Sequence, residues 1–229
     1  MESWSYINHQ NIDRTKYKRA LEKSSSYNCL YAQDFIWDIL HPGWDILVSG
    51  DYDLVVPLPH KRRWFCTSFR QPIFTRTIPL IGENLDKQCF EQVCAVLEAN
   101  CALVHLNFNI DISDQWSETG VYQLLDLYED MSSQRDNYST NAKRILKNHK
   151  EDLLFEQNND CSAFVSFFKA HVGFKYGNLT DLHYDRLKTL IDAAIVKQMG
   201  TLSTINYEGV PIAKAFFIDF NGVRYYVKG

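Results

Sequence analysis

Apolar and polar positions along the chain change period several times, and each change marks an element. In GWDILVSGDYDLVVPLPHKRRW, residues 43–64, two runs of branched and aromatic side chains, 44–49 and 52–58, flank the turn dipeptide Gly50-Asp51. Such runs around a tight turn predict a β-hairpin. The pattern returns in LSTINYEGVPIAKAFFIDFNGVRYYVKG, where Glu208-Gly209 and Asn221-Gly222 separate three further strand-like runs. Ahead of each strand group the period becomes helical. Residues 12–24 turn Ile12, Tyr17, Ala20 and Leu21 inward, and a short helix over 33–40 leads to Pro42-Gly43. Ahead of the closing strands, 161–172 and 181–198 read as helices, the second with Leu187, Leu190, Ile191, Ala194 and Ile195 on one side.

Between these groups, a strand over 67–71 is followed by a long connection to Asn84 containing Pro72, Pro79 and Gly82. A helix over 86–100 then carries an apolar stripe of Leu85, Cys89, Phe90, Val93, Cys94 and Leu97. A strand over 102–109, the polar segment 111–120 and a strand over 121–127 complete this half. The stretch DMSSQRDN, 130–137, is polar without period and reads as a linker, which divides the chain into units 1–130 and 131–229. Ser139 suits the N-cap of a helix TNAKRILKNHKED, in which Ala142, Ile145, Leu146 and His149 share a face, and a short strand over 153–156 follows. Two-residue turns join only antiparallel strands, so the fold class is α/β of the mixed α+β kind, with mostly antiparallel sheets and flanking helices. The recurring order of two helices and a strand meander suggests two copies of one unit.

Composition narrows the picture modestly. A 45% hydrophobic content over 229 residues is enough for a sizeable core, and the net charge of -4 argues against general DNA binding. No apolar run approaches the ~20 residues that span a bilayer, and the opening MESWSYINHQNIDR has no charged-then-apolar leader, so a cytoplasmic protein without membrane association is expected. The six cysteines contain no C-x-x-C pair and read as reduced, buried thiols. The 14% aromatic content either fills core between sheet and helices or lines a pocket.

Signatures with strict mechanics, among them the P-loop, G-x-G-x-x-G, H-E-x-x-H and G-x-S-x-G, are missing, so the sequence announces no metal or nucleotide site. The histidines are scattered and none receives a catalytic role. Two basic clusters remain. Lys61, Arg62 and Arg63, joined by Arg70 and Arg76, form either an anion-recognising rim or a solvated loop that keeps a sheet edge from pairing. Lys143, Arg144, Lys147 and Lys150 form either a second anion contact or an ordinary solvated helix face. On the first reading, Arg62→Ala raises KM and leaves stability nearly unchanged.

The stretches GWDILVSGDYDLVVPLPHKRRW, FRQPIFTRTIPLIG, YSTNAKRILKNHKEDLLFEQ and GVPIAKAFFIDFNGVRYYVKG resemble the tandem GNAT-type acyltransferases related to the FemABX peptidoglycan-bridge aminoacyltransferases. The resemblance implies two GNAT-like units and transfer of an acyl or aminoacyl group from acyl-CoA or aminoacyl-tRNA to an amine-bearing acceptor, without a metal. Lys61, Arg62, Arg70 and Arg144 would then bind substrate. In that family a Gly-rich loop opening a helix usually holds the donor pyrophosphate. The corresponding connection here, QPIFTRTIPLIGENLD, has one glycine, Gly82, and two prolines without N–H groups. In the second unit the counterpart would follow Gly229, so that unit is expected to be incomplete. Its final strand would be exposed on one edge or paired with another molecule, with Val210, Ile212, Phe216 and Phe217 short of cover. The alternative function is a non-catalytic binding or scaffold protein that keeps the tandem fold without donor binding.

Overall fold

The computed structural model describes residues 4–63, 66–83, 85–101, 103–108, 125–126, 130–149, 153–177 and 179–229. The fold is mixed α+β, with mostly antiparallel sheets. The chain opens with β1 (Trp4–Ile7), α1 (Arg14–Lys23) and α2 (Asp34–Leu40). Asp13 caps α1 by accepting from the Thr15 and Lys16 amides. Next come β2 (Asp45–Ser49) and β3 (Leu54–Leu58), antiparallel neighbours in which every residue is buried. Burial on both faces explains why these strands read as continuous apolar runs instead of alternating ones.

The hairpin loop is longer than the turn expected from Gly50-Asp51. Ser49 pairs with Leu54, so residues 50–53 form the loop, and Tyr52 has left the strand with a positive φ of 69°. Its ring is buried and its hydroxyl accepts from the Asp13 amide at 2.9 Å, tying the loop to the start of α1. Gly50 takes a φ of 61°, the left-handed region that favours glycine at that corner.

Past Pro59 the chain enters a second sheet. Here β4 (His60–Arg63) runs antiparallel to β5 (Cys66–Arg70), and the short β6 (Ile81–Gly82) returns to pair with β3. Helix α3 (Lys87–Asn100), capped by the Asp86 carboxylate, crosses over to β7 (Leu103–His105), which lies parallel to β5. A parallel neighbour requires such a crossover. Val93 and Leu97 of its apolar stripe are fully buried.

The polar stretch expected to be a linker contains a helix, α4 (Met131–Asp136). Its serines serve as cap partners, with Asp130 accepting from the Ser132 and Ser133 amides. The polarity is that of a helix start, which periodicity over six residues cannot display. Helix α5 (Thr140–His149) begins at Ser139 as expected, but Ile145 and Leu146 are exposed. Then follow β8 (Leu153–Asn158), α6 (Cys161–His171), α7 (Asp181–Val196), β9 (Gly200–Tyr207), β10 (Val210–Phe220) and β11 (Val223–Lys228). The last four strands form a sheet in order β11-β10-β9-β8, antiparallel throughout. Positive φ at Glu208, Gly209, Asn221 and Gly222 marks the two tight turns. After α4 and α5, the second half thus repeats the order strand, helix, helix, antiparallel strands found in the first. The expected segment 111–120 lies outside the described residues, as does the expected strand over 121–127 except for Leu125 and Asp126.

Two apolar cores result. The first gathers Tyr17, Trp37, Trp44, Ile46, Val55 and Phe69. The second joins Leu30, Tyr31, Ile36, Leu40 and Phe74 of the first half to Phe164, Phe168, Leu187 and Phe216 of the second. Polar ties cross the same junction, where Arg186 donates to the Leu40 carbonyl and Arg76 to the Tyr226 carbonyl of β11. Strand β11 is an edge among the described residues, and Arg76 occupies one of its carbonyls. The cover of β10 is uneven: Val210 and Ile212 are 60% and 52% exposed, whereas Phe216 is sealed against Phe164. The shortage of cover expected for Phe216 is therefore absent, because α6 lies over that end of β10. Phe216→Ala should cost about 3–5 kcal/mol in urea unfolding, and Val210→Ala less than about 1 kcal/mol. Equal costs would contradict this placement of the second core.

Candidate functional site

Strand pairing decides which basic side chains can act together. Lys61 lies opposite Ser68 and Arg62 opposite Thr67, while Ser68 and Arg70 lie beside Leu103 and His105 of β7. Residues opposite one another share a sheet face and neighbours along a strand alternate. Lys61, Ser68, Arg70, Leu103 and His105 therefore lie on one face, and His60, Arg62, Thr67, Phe69 and Val104 on the other. Lys61 and Arg70 are exposed, with no ion pair among the described residues. Arg62 is separated from them by the pleat. Arg144 stands on α5, exposed and donating to Asn141 of its own helix at 3.0 Å, with no bond to the other three. The cluster after the hairpin is a paired strand and not a loop, so the sequence grouping of Lys61, Arg62 and Arg70 is divided between two faces.

Arg62 belongs to a different assembly. Asp45, the first residue of β2, is 2% exposed. Its Oδ2 accepts from the Tyr6 hydroxyl of β1 and from Arg62 Nη2 at 3.0 Å, and its Oδ1 accepts from the His9 amide at 2.7 Å. Arg62 also donates to Asn8 Oδ1 at 3.0 Å. His60 Nδ1 is 3.1 Å from Asp45 Oδ2, but the approach is off the line of a hydrogen bond and leaves this buried nitrogen unpartnered. Behind it, His41 Nε2 donates to the His60 carbonyl at 2.9 Å, and the two imidazoles meet edge to face with centroids 6.1 Å apart. Local sequence explains the convergence. β1 pairs with β2 through Ile7 opposite Ile46, so the chain leaving β1 carries Asn8 and His9 over Asp45, while the bend at Pro59 brings β4 to the same corner.

The environment sets protonation. Burial lowers His41 to about 4, assisted by the nearby His60 and Arg186 and opposed by its bond to the His60 carbonyl and by Asp45. Burial also lowers His60; Arg62 adds to this and Asp45 opposes it. The Tyr6 phenol is raised, first by burial and then by its bond to Asp45, so it stays protonated and donates. The corner thus holds one buried carboxylate, a half-exposed guanidinium and two neutral imidazoles. Asp45 and His60 received no role in the sequence reading. The available signal was a lone carboxylate opening an otherwise apolar strand, Asp45-Ile-Leu-Val. Among the described residues no group of three or more His, Cys, Asp or Glu side chains could hold a metal ion. No helix there is long and apolar enough to cross a membrane. Neither a family model nor any curated protein matches the sequence.

Arg62 is 54% exposed, yet it bonds a buried carboxylate, so Arg62→Ala should cost about 1–2 kcal/mol instead of leaving stability unchanged. Chemical denaturation at neutral pH checks this, and a cost near zero would contradict it. The histidines give a pH signature of definite sign. The folded-state value of His41, about 4, lies below its ordinary 6.5, so its contribution is complete above about pH 6.5 and is lost as pH falls toward about 4. The loss is up to about 3 kcal/mol, with His60 acting in the same sense. His41→Gln should remove much of that acid slope in unfolding free energy measured between pH 7.5 and 4.5; an unaltered slope would contradict the assignment.

Proposed function

We propose that the chain is an acyltransferase of the tandem GNAT type related to the FemABX enzymes, moving an acyl or aminoacyl group from acyl-CoA or aminoacyl-tRNA to an amine. The observation that carries this reading is the order strand, helix, helix, antiparallel strands, which occurs in both halves and is followed in the first by a crossover helix and a parallel strand. Parallel strands collect ligands at their carboxyl ends. Arg70 and His105 end β5 and β7 there, and Lys61 shares their face. Lys61 and Arg70 are suited to hold an anionic group of donor or acceptor, such as a phosphate or carboxylate. Arg144 serves a separate contact on α5. Most of the rate would come from holding amine and carbonyl in reach and from stabilising the developing oxyanion.

A second reading, a non-catalytic binding protein with this fold, is favoured by Gly82. A Cβ there would lie 2.7 Å from the Asp53 carbonyl, so this glycine serves the close packing of β6 on the hairpin and not a phosphate cradle. Titration with labelled acetyl-CoA, longer acyl-CoAs and charged tRNA separates the two. The enzyme reading expects at least one donor to bind, and the failure of all three classes would favour the binding protein. For the donor or acceptor that binds, the double substitution Lys61→Ala, Arg70→Ala should raise Kd or KM several-fold while unfolding free energy changes by less than about 0.5 kcal/mol. Unchanged binding would return this face to ordinary solvation.

A further inference from the structure

We propose that α5 docks on the surface of an anionic lipid bilayer, with Ile145 and Leu146 dipping among the lipids and Lys143, Arg144 and Lys147 meeting the headgroups. The proposal stands apart from the acyltransferase reading and gives the separate contact on α5 a partner. Sequence pattern supplies the first observation. At about 100° of turn per residue, Ala142 lies between Ile145 and Leu146, three and four positions on, so the three share one face. Lys147 falls four residues after Lys143 and three after Arg144, so these form the opposite stripe. No Asp or Glu occurs between Asp136 and Glu151, which leaves the helix purely cationic. Burial is the second observation. Ile145 and Leu146 are each 49% exposed, and no described side chain of α5 belongs to either apolar core. The third is that the charges are not neutralised. Lys143 Nζ donates to the Asp136 carbonyl and Arg144 Nη2 to Asn141 Oδ1, each at 3.0 Å and each to a neutral partner. Among the described residues no ion pair involves Lys143, Arg144 or Lys147.

The chemistry of the two faces selects the occupant. A helix with Lys and Arg on one side and branched apolar residues on the other is matched by a membrane interface, where the first meet anionic headgroups and the second the acyl boundary. The long Lys and Arg stems let their charges stay at headgroup level while the helix axis sinks. Nucleic-acid phosphates would satisfy only the basic stripe and leave Ile145 and Leu146 in water. A protein groove needs apolar anchors repeating over two turns, whereas the two large ones here are consecutive. A bilayer imposes no such register. Crossing a membrane is a separate matter: no helix among the described residues is long and apolar enough for it, and lying on the surface requires only an amphipathic face. A ten-residue helix without packing is marginal in water, so docking would also steady α5.

The test is co-sedimentation of the full chain with vesicles of phosphatidylcholine, alone or mixed with phosphatidylglycerol at about 7:3, in about 0.1 M salt. The wild-type chain should bind the mixed vesicles and not the neutral ones, and should bind several-fold more weakly in about 0.5 M salt. Combining Lys143→Gln, Arg144→Gln and Lys147→Gln should lower the partition coefficient at least about 30-fold. Ile145→Ser with Leu146→Ser, which keeps every charge, should lower it at least about 10-fold. Lys61→Ala with Arg70→Ala removes the same sign of charge from another element and should leave it unchanged. Hydrogen exchange on the wild-type chain needs no variant: the amides of 140–149 should gain protection on mixed vesicles. Absence of binding to the mixed vesicles, full binding by the Ile145→Ser, Leu146→Ser variant, or protection confined to other elements would each overturn the proposal. Binding of bulk tRNA through α5 without vesicle binding would replace it with a nucleic-acid contact. Dimerisation lost in the serine variant, again without vesicle binding, would replace it with a second copy of the chain. No readout involves acyl transfer, so the acyltransferase reading is tested separately.

Discussion

A carboxylate sealed from water is the constraint around which the first half is assembled. Moving an unpaired charge into a protein interior costs several kcal/mol, so Asp45 is tolerated only because hydrogen bonds converge on it. They come from separate pieces of chain: the phenol of β1, the backbone just after β1, and the guanidinium of β4. Each donor fixes a local geometry that apolar packing leaves loose. The Tyr6 bond holds an edge strand against β2, and the His9 amide bond sets where the chain turns toward α1. The Arg62 bond holds the second sheet to the first across the bend at Pro59. The same convergence faces His60 Nδ1 toward Asp45 at 3.1 Å.

Much of the fold was legible in the sequence, and for identifiable reasons. Strands β9, β10 and β11 were bounded by Glu208-Gly209 and Asn221-Gly222, whose positive φ values are those a tight hairpin turn requires. Helices α1, α3 and α7 showed their buried stripes because each runs long enough for a 3.6-residue period to repeat. The failures lie where that period has no room. Helix α4 is a single capped turn and a half, and its polar residues looked like a linker. Tyr52 looked like strand because its ring is apolar, although the backbone needed it in a turn.

The site was less legible, because partners distant in sequence define it. Lys61, Arg62 and Arg70 are close in the chain and read as one patch, but the pleat divides them and Asp45 takes Arg62. Nothing local marks His60 as different from His105. The difference is that His60 faces a buried carboxylate brought by a hairpin, whereas His105 ends an exposed strand. Likewise, the second core draws Leu30, Tyr31 and Phe74 toward Phe168 and Phe216, so the halves are joined by apolar contacts that no segment reveals alone.

Asp45 and Arg62 act on each other and thereby join the two sheets of the first half. A double-mutant cycle with Asp45→Asn, Arg62→Gln and the combined variant, read as unfolding free energy at pH 7.5, measures that interaction directly. A coupling of at least about 1 kcal/mol is expected, with the combined variant less damaged than the sum of the single ones. Additivity within about 0.3 kcal/mol would mean that the carboxylate and the guanidinium stabilise the fold independently, and would contradict it.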